Sequence, residues 1–488
     1  MITKNTKLDI TITDMTNEGE GIGKVDGFPL FVKDAVIGDR VKVTVTKLKK
    51  NYGYAHLDKV IKASPDRVEP NCPVSKRCGG CSLQHLSYEA QLKFKYNKVV
   101  NCLKRIGGIG DAESRIKDII GMNKDGSSPW NYRNKAQFPV GRDKDNNIVT
   151  GFYAMRSHDI INYSDCKIQH PSNVEIVEAV KGFMEEYAIP PYDEVSHTGI
   201  VRHIVTRIAV SSGEIMVCLV INADSLPYAD EVVDTLTRVD GVASICININ
   251  KDKTNRILGD KTVTIYGNDY IIDSIGGVNY RIQARSFYQV NPVQTEVLYS
   301  KALEYADLSG DEVVWDVYCG IGTISLFLAG KAKHVYGVEI VPEAIDDAIA
   351  NAELNDIKNT TFYVGKAEEV LPREYEEHNV SADVIVVDPP RKGCDVKALE
   401  TIVKMNPARV VYVSCDPATL ARDVKWLGEN GYELVEGVAV DMFPHTGHVE
   451  TVVQLVNIGV KPDYTVRLEV DVDEFYKTVG EDKSQKQR

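Results

Sequence analysis

The stretch 315-WDVYCGIGTISL-326 reads as a buried strand, a glycine-containing turn and the start of a helix. Gly320 and Gly322 let the backbone turn tightly and approach a ligand. A lone G-x-G is weak, but the next apolar strand, VYGVEI, ends in Glu339, an acid placed to take both hydroxyls of a ribose. Further apolar strands, ADVIVVD, RVVYVS, YELVEGVAV and HVETVVQLV, alternate with helical patterns from about residue 292 onward. That alternation predicts a doubly wound, mostly parallel sheet, its last two strands forming an antiparallel edge. Ligands of such sheets lie beyond the carboxyl ends of the strands, where Asp316–Cys319, Glu339, Asp388 and Ser414–Cys415 all fall. The phosphate-loop pattern G-x-x-x-x-G-K-S/T does not occur. A ribose-containing cofactor without a triphosphate, S-adenosylmethionine, fits better than ATP.

Three cysteines share strand-end positions: Cys319, Cys394 and Cys415. Cys319 lies inside the glycine turn, where its backbone matters more than its sulfur. Cys394 follows the DPPRKG loop and has no assigned partner. Cys415 ends a strand at the sheet's rim and is followed by Asp416-Pro417.

Upstream the pattern changes. Residues 2 to 62 carry LDITIT, PLFV, DRVKVTVTKL and YAHLDKVI, with EGEGIGKVDGF and VIGDR as turns, and predict a small five-stranded β-barrel of the OB-like kind that often binds single-stranded nucleic acid. A Pro/Cys/Gly segment follows at 64–82, then a helix near 86–105. Residues 130 to 285 predict an antiparallel α+β region, with helices near 172–187 and 228–238. The expected division is a barrel over 1–62, a central α+β domain over 63–290, an α/β Rossmann-like domain over 291–457, and a polar tail over 458–488, disordered at its tip.

The chain has 488 residues, 43% hydrophobic and 26% charged, and no apolar run approaches the ~18 residues of a membrane span. A cytoplasmic protein is expected, with its ten cysteines reduced. The net charge of −13 argues weakly against nucleic acid, but basic residues crowd the stretch from Arg40 to Arg105, opposed only by Asp58, Asp66, Glu69 and Glu89. Cys72, Cys78 and Cys81, spaced C-x5-C-x2-C, differ from the C-x3-C-x2-C of radical enzymes. With a fourth thiolate they would suit either zinc or an iron–sulfur cluster.

Taken in order, CPVSKRCGGCSLQH, YRNK, SFYQVN, DVYCGIGT, GVE, DPPRKG, SCDP and HVETV resemble the RNA uracil-5 methyltransferases nearly end to end. The resemblance implies an N-terminal TRAM barrel, a central RNA-binding domain with a 4Fe–4S cluster, and a C-terminal methyltransferase domain. It implies methyl transfer from S-adenosylmethionine to carbon 5 of a uridine in RNA. By position, Gln289, Tyr318, Glu339 and Asp388 would contact the cofactor, Cys415 would be the nucleophile and Glu450 the base. Cys166 would complete the cluster with Cys72, Cys78 and Cys81. Thr323 and Lys366 stand where asparagines are usual in bacterial ribosomal members. Phe287 is a candidate to stack on a flipped-out base.

The chemistry agrees with these residue types. Carbon 5 of uracil is a poor nucleophile until a thiolate adds to carbon 6, and a separate base must then remove the carbon 5 proton. Arg391 follows Asp388-Pro389-Pro390 where amino methyltransferases carry an aromatic residue, which disfavours amine chemistry. The cysteines and barrel favour 23S ribosomal RNA over transfer RNA as substrate, since minimal bacterial transfer-RNA enzymes lack both. A non-catalytic iron–sulfur RNA-binding protein is the competing class.

Overall fold

A computed structural model describes residues 2–122 and 126–459. Most of the expected polar tail, 460–488, lies outside these residues. No helix among the described residues is long and apolar enough to cross a membrane.

The first unit is a closed barrel of β1 (Lys7–Met15), β2 (Gly21–Val25), β3 (Phe28–Val32), β4 (Arg40–Leu48) and β5 (Gly53–Lys62), in the order β1-β2-β3-β5-β4. Alternation in β4 turns Val41, Val43 and Val45 into the interior, where each is fully buried. The sequence reading took EGEGIGKVDGF for a turn, but its middle is β2. A Cβ on Gly21 would lie 2.8 Å from the Ala35 carbonyl oxygen, and one on Gly23 2.7 Å from Ile10 Cδ1. Glycine is there because the barrel wall approaches too closely for a side chain.

The segment after the barrel is pinned by Arg67, whose guanidinium donates to the buried Asp39 carboxylate at 2.6 Å. Next come α1 (Tyr88–Arg105), capped by Ser87 Oγ accepting from Ala90 N–H, then α2 (Ala112–Arg115) and β6 (Ile116–Ile120).

The central sheet holds β7 (Lys135–Arg142), β8 (Ile148–Tyr153), β9 (Ile160–Asn162), β10 (Val201–Ile208), β11 (Ile215–Ile221), β12 (Val242–Ile249) and β13 (Lys261–Gly267), with α3 (Ser172–Glu186) and α4 (Ala229–Leu236). It is mixed and not wholly antiparallel as expected. β11 and β12 pair in parallel, since α4 carries the chain back across the sheet. A hairpin of β14 (Tyr270–Ile275) and β15 (Val278–Gln283) leads out of this sheet.

The last unit alternates α5 (Pro292–Ala306), β16 (Val313–Val317), α6 (Thr323–Ala329), β17 (His334–Glu339), α7 (Pro342–Leu354), β18 (Thr360–Val364), α8 (Ala367–His378), β19 (Val384–Val387), α9 (Val396–Met405), β20 (Arg409–Ser414), α10 (Pro417–Glu429), β21 (Tyr432–Val440) and β22 (Glu450–Asn457). Its sheet order is β18-β17-β16-β19-β20-β22-β21-β6. The parallel strands are nearly continuous apolar runs because helices cover both faces. β22 inserts antiparallel between β20 and β21. The expected antiparallel edge is therefore not the edge: β6, from far upstream, pairs in parallel with β21 and closes it.

Two apolar cores flank this sheet. One joins α1, α8, α9 and α10 to it. The other is continuous from Val205 and Met216 of the central sheet, through Leu298 and Tyr299 of α5, to Val411 and Val413 of β20. That shared core fixes the central unit against the strand ends of the last one.

Candidate active site

Between the central sheet and the carboxyl ends of the parallel strands lies a cavity of about 1120 Å³. Every site residue expected from the sequence lines it: Cys415 and Glu450; Gln289, Tyr318, Glu339 and Asp388; Phe287; and Cys72, Cys78, Cys81 and Cys166. It lies at the topological switch, where β16 has β17 on one side and β19 on the other.

The turn after β16 holds Tyr318 at φ +73°, a costly conformation for a bulky residue, with its N–H donating to the Val338 carbonyl at 3.0 Å. Gly322, at φ +79°, opens α6 where a Cβ would sit 3.1 Å from Ala348 Cβ. Glu339 ends β17 half-buried, its carboxylate accepting from Val341 N–H at 3.0 Å. Asp388 follows β19 and donates its N–H to the Val317 carbonyl at 3.2 Å. Gln289 lies in the linker before α5, tied to the central sheet by Asn134 Nδ2, which donates to its carbonyl at 3.0 Å. Phe287, in the same linker, is 70% exposed while lining the cavity, so it is not the core residue that an aromatic there would ordinarily be.

Register sets the relation of Cys415 to Glu450. In the antiparallel pair β20–β22, Ser414 stands opposite Thr451, so the next step along β20 meets the residue before Thr451. Asp416 fixes the exit from β20 by capping α10, its carboxylate accepting from Ala418 N–H at 2.9 Å and Thr419 N–H at 3.1 Å, with Pro417 in the first turn. Glu450 is 3% exposed.

The charges here repel one another. Burial, then the Asp388 charge, pushes Glu450 up to about 8. Burial, then Asp316, pushes Asp388 up to about 7, and burial puts Asp316 at about 7. Burial, followed by Glu450 and Asp388, holds the Cys415 thiol at about 12, while Arg391 acts the other way. Such a site welcomes a cationic ligand, because a positive charge would relieve all four groups at once. The other strand-end thiols belong to the fold: Cys394 N–H donates to Asp423 at 2.9 Å beside Tyr412, and Cys319 is buried in the turn.

The four remaining cysteines of the cavity are free thiols, Cys72, Cys78 and Cys81 from the segment before α1 and Cys166 from the loop between β9 and α3. Burial first, with neighbouring thiols of the set adding to it, raises Cys72 and takes Cys81 to about 12 and Cys166 to about 11. Among the described residues, no three His, Cys, Asp or Glu side chains are grouped so as to hold a metal ion.

The family described as tRNA (Uracil-5-)-methyltransferase matches residues 248–458, and the TRAM domain matches residues 3–57. Over 455 residues, 93% of this chain and 98% of the relative, the sequence is 51% identical to an uncharacterized RNA methyltransferase of Listeria innocua. The chain belongs to the RNA uracil-5-methyltransferase family. A second RNA methyltransferase, from Halalkalibacterium halodurans, is also 51% identical over 93% of this chain and 98% of its own. Among solved structures, Pyrococcus abyssi tRNA (uracil-54, C5)-methyltransferase in complex with S-adenosyl-L-homocysteine is similar with a TM-score of 0.73 at 29% identity, over 92% of this chain and 99% of that one. This RNA uracil-5-methyltransferase is thus S-adenosylmethionine-dependent, with a TRAM barrel at its N-terminus.

The methyltransferase's cavity also contains residues that the sequence reading did not assign to the site. Thr323 and Lys366 both line it. Thr323 Oγ1 accepts from the Tyr299 hydroxyl at 3.0 Å, and Lys366 pairs with Glu369 at 3.0 Å. Arg391, Phe443 and His448 reach it from the loops after β19 and β21. The central sheet contributes Arg133, Lys135 and Gln137. Their spacing of two, within a segment recognised as a strand, was the available signal.

Proposed function

We propose that this methyltransferase acts on a uridine of 23S ribosomal RNA, with Cys415 as nucleophile and Glu450 as base. The observation carrying the mechanism is the strand register that sets Cys415 beside Glu450 in the same cavity as the carboxylates of the cofactor rim. Cys415 Sγ bonds to carbon 6 of the uracil, and the C5–C6 electron pair moves toward the carbonyl at carbon 4 as an enolate. S-adenosylmethionine supplies an electrophilic methyl group, with the departing sulfur keeping the broken bond's pair. Carbon 5 takes the methyl. Glu450 then removes the carbon 5 proton, the C5–C6 double bond re-forms, and the C6–S bond breaks to release the thiolate.

The environment suits these steps. A base with a pKa near 8 is matched to proton removal at neutral pH. The Cys415 thiol, held at about 12 in the free protein, must first give up its proton to solvent water, which leaves Glu450 ionised for the carbon 5 proton. A sulfonium beside Asp388 and Glu450 would offset the two carboxylates that oppose the thiolate, so cofactor binding precedes attack. Gln289, Tyr318, Glu339 and Asp388 would hold the cofactor, and Phe287 would stack on the flipped base at the mouth. The domain division expected from the sequence serves this reading: barrel and central unit hold RNA while the last unit holds the cofactor.

The four cysteines would hold a 4Fe–4S cluster in a structural role, since this reaction needs no redox step. Although the four side chains are not drawn together around a metal position, four free thiols lining one cavity, Cys81 and Cys166 each feeling the charge of the others, support that donor set. Iron and acid-labile sulfide, assayed on protein purified without air, decide it.

Incubation with tritiated S-adenosylmethionine and transcripts of 23S ribosomal RNA or transfer RNA, followed by digestion, tests the function. 5-Methyluridine in the ribosomal transcript is expected, and none in either RNA would sink the proposal. A transfer-RNA target is the second reading, because the Pyrococcus abyssi protein similar over 92% of this chain is a tRNA methyltransferase.

A further inference from the structure

The cavity has two electrically different walls. The strand-end wall carries Glu339, Asp388 and Glu450. The opposite wall carries a row from the segment leading into and along β7, where Arg133, Lys135 and Gln137 all face the cavity. The alternate residues, Asn134 and Ala136 between them and Phe138 just after, are buried. This is the period-two pattern of one strand face.

Lys135 is the unusual member. It is half-buried, and among the described residues its ammonium has no hydrogen-bond or ion-pair partner. Directly across the ladder stands Arg207, itself buried, its guanidinium spent on the Ala284 and Ser286 carbonyls. Burial, then Arg207 and Arg133, push Lys135 down to about 7. A half-buried lysine among cations, facing a ligand cavity, needs an anion to stay charged.

The row continues outward. Gln137 also lines an adjoining groove of about 490 Å³, with Arg256 and Arg285 on its other side. Both arginines pair with the single carboxylate of Asp260, which leaves the groove net positive. Exposed Phe287, two residues from Arg285, lines the cavity, and Gln137 is the residue that cavity and groove share.

We propose that Lys135 binds a backbone phosphate of the nucleotide being methylated, and that the flanking RNA strand leaves the cavity past Gln137 into the groove of Arg256 and Arg285. The inference rests on the reading of the cavity as the site of RNA methylation. It divides the cavity's labour: the acidic wall takes the cationic cofactor and the basic wall takes the polyanionic substrate.

The test compares Lys135→Gln, Lys135→Arg and the pair Arg256→Gln/Arg285→Gln with the wild-type protein. Binding of in vitro-transcribed 23S ribosomal RNA and transfer RNA is measured by filter retention over a series of potassium chloride concentrations. S-adenosylmethionine binding is measured by equilibrium dialysis. Lys135→Gln should weaken binding of the RNA substrate about tenfold. Its log–log salt slope should fall by about 0.7, the loss of one phosphate contact on a single strand. Lys135→Arg should restore both, and the arginine pair should raise KM for RNA with little change in kcat. Cofactor affinity should stay unchanged in all three.

Unchanged RNA affinity and slope in Lys135→Gln overturn the proposal. So does a loss of cofactor affinity, which would place the ammonium on the cofactor's carboxylate. A wild-type protein that retains neither RNA overturns it as well. The binding comparison needs no turnover, so a protein that binds both RNAs but forms no 5-methyluridine defeats the methylation reading and still decides the role of Lys135.

Discussion

Replacing Glu450 with glutamine separates bond making from proton removal. The side chain is 3% exposed at the start of β22, and glutamine keeps its shape while losing its basicity. A positioned general base contributes about 10²- to 10⁴-fold, so turnover should fall by that range, roughly 2.7 to 5.5 kcal/mol in the barrier. The first half of the reaction should survive. Glu450 is the second cause, after burial, holding the Cys415 thiol at about 12, so removing its charge moves that thiol downward and favours attack. The adduct between Cys415 and carbon 6 should therefore accumulate after methyl transfer. Denaturing gel electrophoresis with labelled RNA would show it as a protein-linked band that needs S-adenosylmethionine. Alkylation of the Cys415 peptide by iodoacetamide, followed by mass spectrometry across pH, should show its midpoint shifted to lower pH. Normal turnover without an adduct would refute the assignment of Glu450 as base. An adduct that also forms in Cys415→Ala would refute the assignment of the nucleophile.

Cys415→Ala should abolish 5-methyluridine formation and leave S-adenosylmethionine affinity intact, measured by the tritium assay and dialysis. Phe287→Ala should raise KM for RNA by the worth of one stacked base, about 1–3 kcal/mol, with no change in melting temperature. Lys95→Met should destabilise the fold by about 3–5 kcal/mol in urea titrations, because it strands Asp441, whose carboxylate Lys95 pairs with at full burial, and frees the Phe443 carbonyl it holds at 2.9 Å. Glu450 is raised from 4.5 to about 8 in the folded protein, so its contribution to stability is present below pH 4.5 and lost as pH rises through 8. Glu450→Gln should therefore gain stability relative to wild type at pH 8.5 and not at pH 4, read from denaturation midpoints.

Much of the site was legible because a parallel sheet gathers its strand ends. Glu339, Asp388 and Cys415 are far apart in sequence, but each follows an apolar run, and topology alone brings such positions to one rim. Glu450 was legible only through the family's motif, since a strand-start acid is ordinarily solvated and nothing local announces its burial. β2 was hidden because Gly21 and Gly23 carry a turn's composition while obeying a strand's packing. β6 was hidden because IKDII is short, and its partner β21 lies in another part of the chain. Lys135 was passed over because an isolated lysine in a strand gives no sign of which neighbours will surround it. Arg207 becomes its neighbour only through the β7–β10 register.

The seating of β6 has a consequence for how the chain is made. Arg115, at its threshold, bonds to the Leu434 carbonyl 319 positions later. At ~5–20 residues per second of synthesis, β6 waits roughly 15–65 s for the strand it will pair with. Until then the nascent chain carries an unpaired strand, and the last unit, once made, has a bare edge at β21 until β6 docks. The catalytic unit is thus sealed by a segment made well before it, and a fragment beginning at residue 291 would expose that edge to other chains.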